Sequence, residues 1–163
     1  MMMMTRRKLT RALLGLGLMC VGPLVAEAQD RSGPLASVEQ MFEGMRTANP
    51  AMVREVFASD ARFAVIDSRG GTPSIASQSV DGWISAIGDS GGQWDEQVYD
   101  LDVRVDGDMA SIWAPYTFYL NGAVRHCGIN SIELLRDREG WKVTQLSDTR
   151  RTENCPDPLG DLE

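Results

Sequence analysis

Histidine and cysteine are scarce in this chain of 163 residues, which has one histidine and three cysteines. No Cys-x-x-Cys pair occurs, so the ligand spacing of most structural zinc sites is missing. A catalytic thiol paired with His126 is also disfavoured, because successive strand residues such as His126 and Cys127 point to opposite faces. The sequence therefore predicts no metal site and no cofactor.

A hydrophobic run long enough to cross a membrane is also missing. The apolar run at residues 12–25 is shorter than the about 20 residues that a transmembrane helix needs. It follows a basic stretch that contains Arg6 and Arg7 and precedes Ala26-Glu27-Ala28, which is typical of a cleaved export signal. We therefore expect residues 1–28 to be a signal peptide, by the general or the twin-arginine route, and the mature protein to be periplasmic or extracellular.

Basic residues are fewer than acidic residues in this chain. Removing the signal peptide would remove four of the 16 basic residues and one of the 23 acidic ones, which leaves a net charge of −10. A strongly acidic chain is repelled by nucleic acid and by anionic membrane surfaces. We therefore expect no nucleic-acid partner and, after signal cleavage, no membrane partner.

The first half of the mature chain predicts two helices after a flexible leader at residues 29–36. Ser37 and Gln40 have the spacing of a capping box, and apolar residues recur every three or four positions as far as residue 48. Asn49 and Pro50 suit the cap and the first turn of a second, short helix.

A third helix is predicted from about residue 79 to Gly88, with Trp83, Ile84 and Ile87 on one face. Short strands are predicted before it, at residues 61–67 and 72–78.

The second half predicts a meander of antiparallel strands, because apolar and polar residues alternate between turn dipeptides. These strands cover residues 94–105, 109–120, 123–136 and 141–149. A two-residue turn at Asn121-Gly122 would place Thr117 opposite His126. A two-residue turn at Arg138-Glu139 would place Asp148 opposite Ile129. Pro115 predicts a bulge, since proline cannot donate to a strand ladder.

Helices followed by an antiparallel meander indicate an α+β fold, and several motifs carry a family resemblance. The first helix, the segment 56–63 and the sheet resemble the nuclear transport factor 2-like superfamily. The C-terminal motifs are similar to its secreted branch named for lumazine binding: Trp113-Ala114-Pro115-Tyr116-Thr117-Phe118-Tyr119, His126-Cys127-Gly128, Gly140-Trp141-Lys142-Val143 and Asp148-Thr149-Arg150-Arg151.

The resemblance covers residues 35–155. It implies a cone-shaped, curved antiparallel sheet wrapped around two to three N-terminal helices, with an apolar pocket inside. We place this domain at residues 37–155, followed by a disordered tail at residues 156–163. The resemblance also implies a homodimer formed through the open sheet face, but no settled reaction, because one fold hosts many functions.

His126 and Asp148 are the candidate catalytic residues. His126 is the only side chain whose ordinary pKa suits proton transfer near neutral pH. It is either a general base or hydrogen-bond donor at the pocket, or a structural histidine. Asp148 either shuttles a proton with a raised pKa, or pairs with Arg150 or Arg151.

Cys127 and Cys155 remain after signal cleavage and lie 28 positions apart. In an oxidising compartment such a pair is expected to form a disulfide. This bond would tie the tail after the last strand to the preceding strand.

Five aromatic side chains are candidate ligand-binding walls of the pocket, and the alternative for each is an ordinary core position. They are Trp83, Trp113, Tyr116, Phe118 and Tyr119. We expect Trp113 and Tyr116 to point to different sides of their strand, unless Pro115 marks a bulge between them. The sequence thus predicts an exported domain that binds a small apolar molecule. The alternatives are an isomerase, dehydratase or cyclase that uses Asp148 and His126, and a dimerisation or accessory interaction module.

Overall fold

The computed structural model describes residues 30–89 and 91–157, so the predicted signal peptide and residues 158–163 lie outside the described residues. Three helices pack against the inner face of one curved, unclosed sheet of seven strands. The helices are α1 (Ser32–Arg46), α2 (Pro50–Val56) and α3 (Val80–Asp89). The strands are β1 (Phe57–Asp67), β2 (Ser74–Gln78), β3 (Trp94–Val98), β4 (Asp102–Asp106), β5 (Met109–Leu120), β6 (Ala123–Asp137) and β7 (Gly140–Arg150).

Helix α1 begins earlier than predicted. The Asp30 carboxylate accepts hydrogen bonds from the backbone N–H of Ser32 at 2.9 Å and from its hydroxyl at 2.7 Å. Ser37, the predicted cap, lies inside the helix, and its hydroxyl donates to the carbonyl of Trp141 at 3.0 Å. The flexible leader predicted at residues 29–36 is therefore wrong from Ser32 onward.

Helices α2 and α3 are confirmed. The Asn49 side chain accepts a hydrogen bond from the N–H of Met52 at 3.1 Å, and Pro50 is the first helical residue. The Ser79 hydroxyl accepts from the N–H of Gly82 at 3.1 Å at the start of α3. The predicted apolar face of α3 is buried, with Trp83, Ile84 and Ile87 in the core. None of the helices in the described residues is long and apolar enough to cross a membrane.

The fold class is confirmed as α+β, with the curved sheet wrapped around the helices. The strand order is β2-β1-β7-β6-β5-β3, and β4 also pairs with β5. All pairings are antiparallel except that of β1 with β7, which is parallel, so the sheet is mixed. No hairpin joins β1 to β7, and their relative direction is therefore not fixed by a turn.

The single strand predicted at residues 94–105 is two strands. β3 pairs with the second half of β5 and β4 with the first half, and Pro115 lies opposite the break between them. The N–H of Tyr99 donates to the carbonyl of Pro115 at 3.1 Å, but Pro115 has no N–H to return. Towards β6, Pro115 pairs regularly with Ile129. The predicted irregularity therefore falls in the neighbouring strand, and not in β5.

The predicted register between β5 and β6 holds only beside the turn. Asn121 and Gly122 both have positive φ, 54° and 76°, and Leu120 pairs with Ala123 as predicted. Arg125 is then an unpaired extra residue, so His126 lies opposite Phe118. The predicted pairing of His126 with Thr117 is wrong by one residue because of this bulge.

A second bulge changes the register between β6 and β7. The turn at Arg138-Glu139 has two residues as predicted, but Thr144 is an extra residue in β7. Asp148 therefore pairs with Asn130, and the predicted pairing with Ile129 is wrong by one residue.

The predicted disulfide joins Cys127 to Cys155 and holds the chain end on the outer face of the sheet. Cys127 and Arg151 exchange two backbone hydrogen bonds of 2.9 Å. The hydroxyl of Thr117 donates to the carbonyl of Pro156 at 2.7 Å, and that of Tyr119 to the Asp157 carboxylate at 2.7 Å. The described part of the predicted disordered tail, residues 156 and 157, is therefore hydrogen-bonded to β5.

Replacing Gly128 by alanine should destabilise the protein severely. A Cβ at this position would lie 1.7 Å from the carbonyl oxygen of Thr149, which also accepts a 2.9 Å hydrogen bond from the hydroxyl of buried Tyr116. We expect Gly128→Ala to lower the free energy of unfolding by about 3 kcal/mol or more in urea denaturation. Gly70→Ala is the control, since its Cβ would meet nothing within 4 Å. Equal midpoints for the two variants would contradict the close approach.

The Cys155→Ser variant should lose about 3–4 kcal/mol of stability, which is the chain-entropy estimate for a loop of this length. A thiol reductant should lower the stability of the wild-type protein by the same amount and leave that of the variant unchanged. A wild-type protein that is insensitive to complete reduction would show that the bond contributes no stability.

Candidate functional site

A cavity of about 210 Å³ lies between the helices and the inner face of the sheet. One part of its wall is apolar and comes from α1, α3 and four strands: Met41, Phe42, Met45, Phe63, Trp83, Trp94, Phe118, Leu120 and Leu146. The other part is polar and consists of Gln78, Glu96, His126, Asn130, Asp148 and Arg150. An apolar hollow with a few converging polar groups is the usual form of a small-molecule site.

The structure brings four of the predicted site residues to this cavity, namely His126, Asp148, Trp83 and Phe118. Tyr116 also faces inward, but it is fully buried beside His126, with ring centroids 5.8 Å apart.

Two predicted wall residues lie on the outer face of the sheet. Trp113 is 53% exposed there, and Tyr119 is buried with its hydroxyl bonded to the chain end. The prediction that Trp113 and Tyr116 point to different sides is confirmed, because they are an odd number of positions apart on β5.

His126 is the buried polar group without a hydrogen bond in this cavity. It is 8% exposed, and its ring stacks on Phe118 with centroids 4.9 Å apart. Among the described residues, neither ring nitrogen of His126 has a hydrogen-bond partner. Burial and the positive charge of Arg150 lower the pKa of His126 to about 4. The imidazole is therefore neutral at pH 7 and presents one donor and one acceptor nitrogen.

Asp148 forms a salt bridge with Arg150, one of the two partners predicted for it. The guanidinium donates to the carboxylate from Nε at 3.1 Å and from Nη2 at 2.9 Å. Residues two positions apart share a face of a strand, so β7 holds both groups at the cavity. Burial raises the pKa of Asp148, and the bond from Arg150 opposes this shift.

Glu96 is a carboxyl group that the sequence argument missed. Its Oε1 accepts a 2.6 Å hydrogen bond from the Asn130 side chain. Because β5 lies between β3 and β6, the Glu96 side chain must reach across β5 to meet Asn130. Burial raises the pKa of Glu96 to about 7, with a further contribution from Asp148 and an opposing one from Asn130.

The alternation of side chains along a strand could have identified Glu96 and Asn130, which the sequence argument missed. Asn130 has the same parity as His126 on β6, and Glu96 has the same parity as Trp94 on β3. A polar residue at an inward position of an otherwise apolar face is the available signal. The contributions of α1, by contrast, depend on how the helix docks. In residues 30–89 and 91–157, no group of three or more His, Cys, Asp or Glu side chains could hold a metal ion.

Helices that close one side of a curved sheet and leave a lined cavity define a cone-shaped α+β domain.

No protein-family model matches the sequence, and no curated protein matches it either. Solved structures do match. An NTF2-like protein of unknown function from Shewanella baltica is 15% identical, with a TM-score of 0.55 over 73% of this chain and 91% of that chain.

Two further structures come from Novosphingobium aromaticivorans. An NTF2-like protein with a cystatin-like fold is 14% identical, with a TM-score of 0.58 over 82% of this chain and 88% of that chain. A protein named as the beta subunit of a candidate aromatic-ring-hydroxylating dioxygenase is 13% identical, with a TM-score of 0.59 over 74% of this chain and 88% of that chain. The chain therefore has the nuclear transport factor 2-like fold, as the sequence resemblance predicted. The likeness to the lumazine-named branch stays a prediction.

The imidazole of His126 should titrate far below the usual range. Because the folded protein holds it neutral, the unfolded chain gains a proton first as the pH falls, so this group removes stability between about pH 6.5 and pH 4. We expect a proton NMR midpoint of about 4 for the folded protein. The urea-unfolded chain is the control, with a midpoint near 6.5. The proton NMR signal of the His126 ring is unambiguous in untagged protein, since the sequence has one histidine. A folded midpoint near 6.5 would mean that the ring is hydrated.

Proposed function

We propose that this protein binds a small molecule with an apolar body and a polar end in the cavity inside the sheet. The observation that carries the proposal is His126, which lines the cavity and whose ring nitrogens have no hydrogen-bond partner among the described residues. No buried side-chain nitrogen or oxygen atom in the described residues lacks a hydrogen-bond partner, so the unpartnered ring nitrogens of His126 are open to the cavity. There they can donate to or accept from a bound molecule. The adjoining apolar wall would take the rest of such a molecule.

We further propose that binding takes place outside the cytoplasm. The Ala26-Glu27-Ala28 pattern after a basic and apolar stretch supports export. The Cys127–Cys155 disulfide also supports it, because disulfides persist mainly in oxidising compartments.

Proton-transfer catalysis is the second candidate, and Glu96 is the observation that favours it. A carboxyl group with a pKa of about 7 in an apolar cavity can both take and give a proton near neutral pH. The predicted pair of His126 and Asp148 is less suited to this task, because Asp148 is bound to Arg150 and the pKa of His126 is low. Their catalytic role stays a prediction.

The homodimer and the accessory interaction role also stay predictions. The chain end covers the outer face around Thr117 and Tyr119. The uncovered half of that face carries the exposed side chains of Met109, Trp113 and Leu135, which form the available apolar surface for assembly.

A tryptophan at Gln78 should fill the cavity and prevent binding. Gln78 is partly exposed on β2 and lines the cavity, whereas its exposed neighbour Ser77 points to the other side of the strand. We expect native mass spectrometry of protein purified from its own host to show a retained small molecule with the wild type and with Ser77→Trp, and a loss of at least tenfold in occupancy with Gln78→Trp.

The retained molecule also separates the two candidates. A molecule that returns unchanged after incubation with fresh protein supports binding, whereas a chemically altered one supports catalysis. A wild-type protein that retains nothing, and also fails to bind the aromatic probes used below, would overturn the proposed function.

A further inference from the structure

Glu96 is the charged side chain of the cavity without an opposite charge. Three charged side chains line the cavity in the described residues: Glu96, Asp148 and Arg150. Asp148 and Arg150 neutralise one another through their salt bridge. Within the described residues, Glu96 has only the neutral amide of Asn130 as a hydrogen-bond partner. The positive charge of Arg150 acts on Glu96 without a direct contact. A carboxylate removed from water without a counter-charge is costly, and a cation would relieve that cost.

The hydrogen-bonding groups of the cavity also favour a ligand that donates. The side chain of Asn130 already donates to Glu96, and that of Arg150 to Asp148. Glu96 keeps unused lone pairs, and neutral His126 adds an acceptor nitrogen. Gln78 can either donate or accept. A ligand with several N–H donors would therefore match these groups better than one with acceptors alone.

The apolar wall is rich in aromatic rings that lie close to these acceptors. The rings of Trp94 and Phe118 meet edge to face at 5.8 Å, and those of Phe63 and Trp83 at 5.4 Å. Glu96 pairs directly with Phe118 across the sheet and shares its strand face with Trp94. Aromatic faces attract organic cations as well as apolar groups.

Negative charge also lies on the outside of this wall. Phe42 and Glu96 line both the cavity and a groove between α1 and β3. On the α1 side, Glu39 and Glu43 line the groove together with Arg46, which pairs with Glu43. These acidic groups favour the approach of a cation at the Glu96 side of the cavity. At His126 the charges of Arg150, Arg69 and Arg125 act in the opposite sense.

We propose that the ligand is a small protonated amine with an aromatic or apolar body, whose ammonium group binds between Glu96 and His126. This inference rests on the proposed function, because it names the ligand class of the same cavity. The apolar body would lie against Trp94 and Phe118, and the ammonium group would donate to the Glu96 carboxylate and the His126 acceptor nitrogen.

Binding of an amine should tighten as the pH rises through about 7, where Glu96 ionises. The sign follows because an ammonium group prefers a carboxylate to a carboxylic acid, while His126 stays neutral over the same range. The other charged or polar groups around Glu96 are Asp95 on β3, Asn130 on β6, Asp148 and Arg150 on β7, and Glu43 with Arg46 on α1.

Three probes of the same shape and different charge test the inference in the full mature protein. Benzylamine is a cation, benzyl alcohol is neutral and benzoate is an anion at about pH 8. Isothermal titration calorimetry should show that benzylamine binds about tenfold more tightly than benzyl alcohol at about pH 8, and that this preference shrinks below about pH 6. Benzoate should bind most weakly.

Glu96→Gln keeps the size of the side chain and its hydrogen bond from Asn130, and should abolish the preference for benzylamine while benzyl alcohol binds as before. Glu133→Gln is the control, since Glu133 lies on β6 with the opposite parity to Asn130 and His126 and therefore on the outer face. It should leave the preference intact. Thermal unfolding of both variants checks that they fold.

Tighter binding of benzyl alcohol or benzoate, or an amine preference that survives Glu96→Gln, would overturn the inference and leave the proposed function standing. Failure of all three probes to bind would overturn the inference and count against the proposed function as well.

Discussion

The inward face of β6 is the constraint on which the rest of the site depends. His126, Gly128 and Asn130 occupy alternate positions of this central strand, and each position has a different task. Asn130 holds Glu96, His126 faces the cavity, and Gly128 lets the backbone of Thr149 approach. Since alternation along a strand is fixed, moving β6 by one residue would exchange all three positions for outward-facing ones.

Two bulges set this arrangement. Arg125 shifts β6 against β5, so His126 stacks on Phe118. Thr144 shifts β7 against β6, so Asp148 lies opposite Asn130. Without them the same residues would occupy the same strands but meet different neighbours. The polar cluster in the cavity is therefore a consequence of register as much as of composition.

The two faces of the sheet have different roles. On the inner face, the cavity brings together Glu96, Asp148, Arg150 and His126, of which Asp148 and His126 are buried. On the outer face, the disulfide and the hydrogen bonds of Pro156 and Asp157 hold residues 155–157 against the sheet. The covalent bond thus constrains the strands that carry the site from the side opposite the cavity, where it takes up none of the cavity's space.

The sequence by itself predicted the α+β class, two to three helices and the disulfide pairing. It offered the pairing of Asp148 with an arginine as one of two alternatives. These features depend on local periodicity, on turn dipeptides and on the small number of candidate partners. Only the tertiary structure decided that Glu96 reaches Asn130, that β1 runs parallel to β7, and that Tyr119 lies on the outer face. A bulge adds one residue to one strand and has no distinct signal in composition, yet it changes every cross-strand neighbour beyond it. Apart from the disulfide, where only two cysteines remained as candidates, the side-chain contacts between residues far apart in the chain were therefore beyond the reach of sequence patterns.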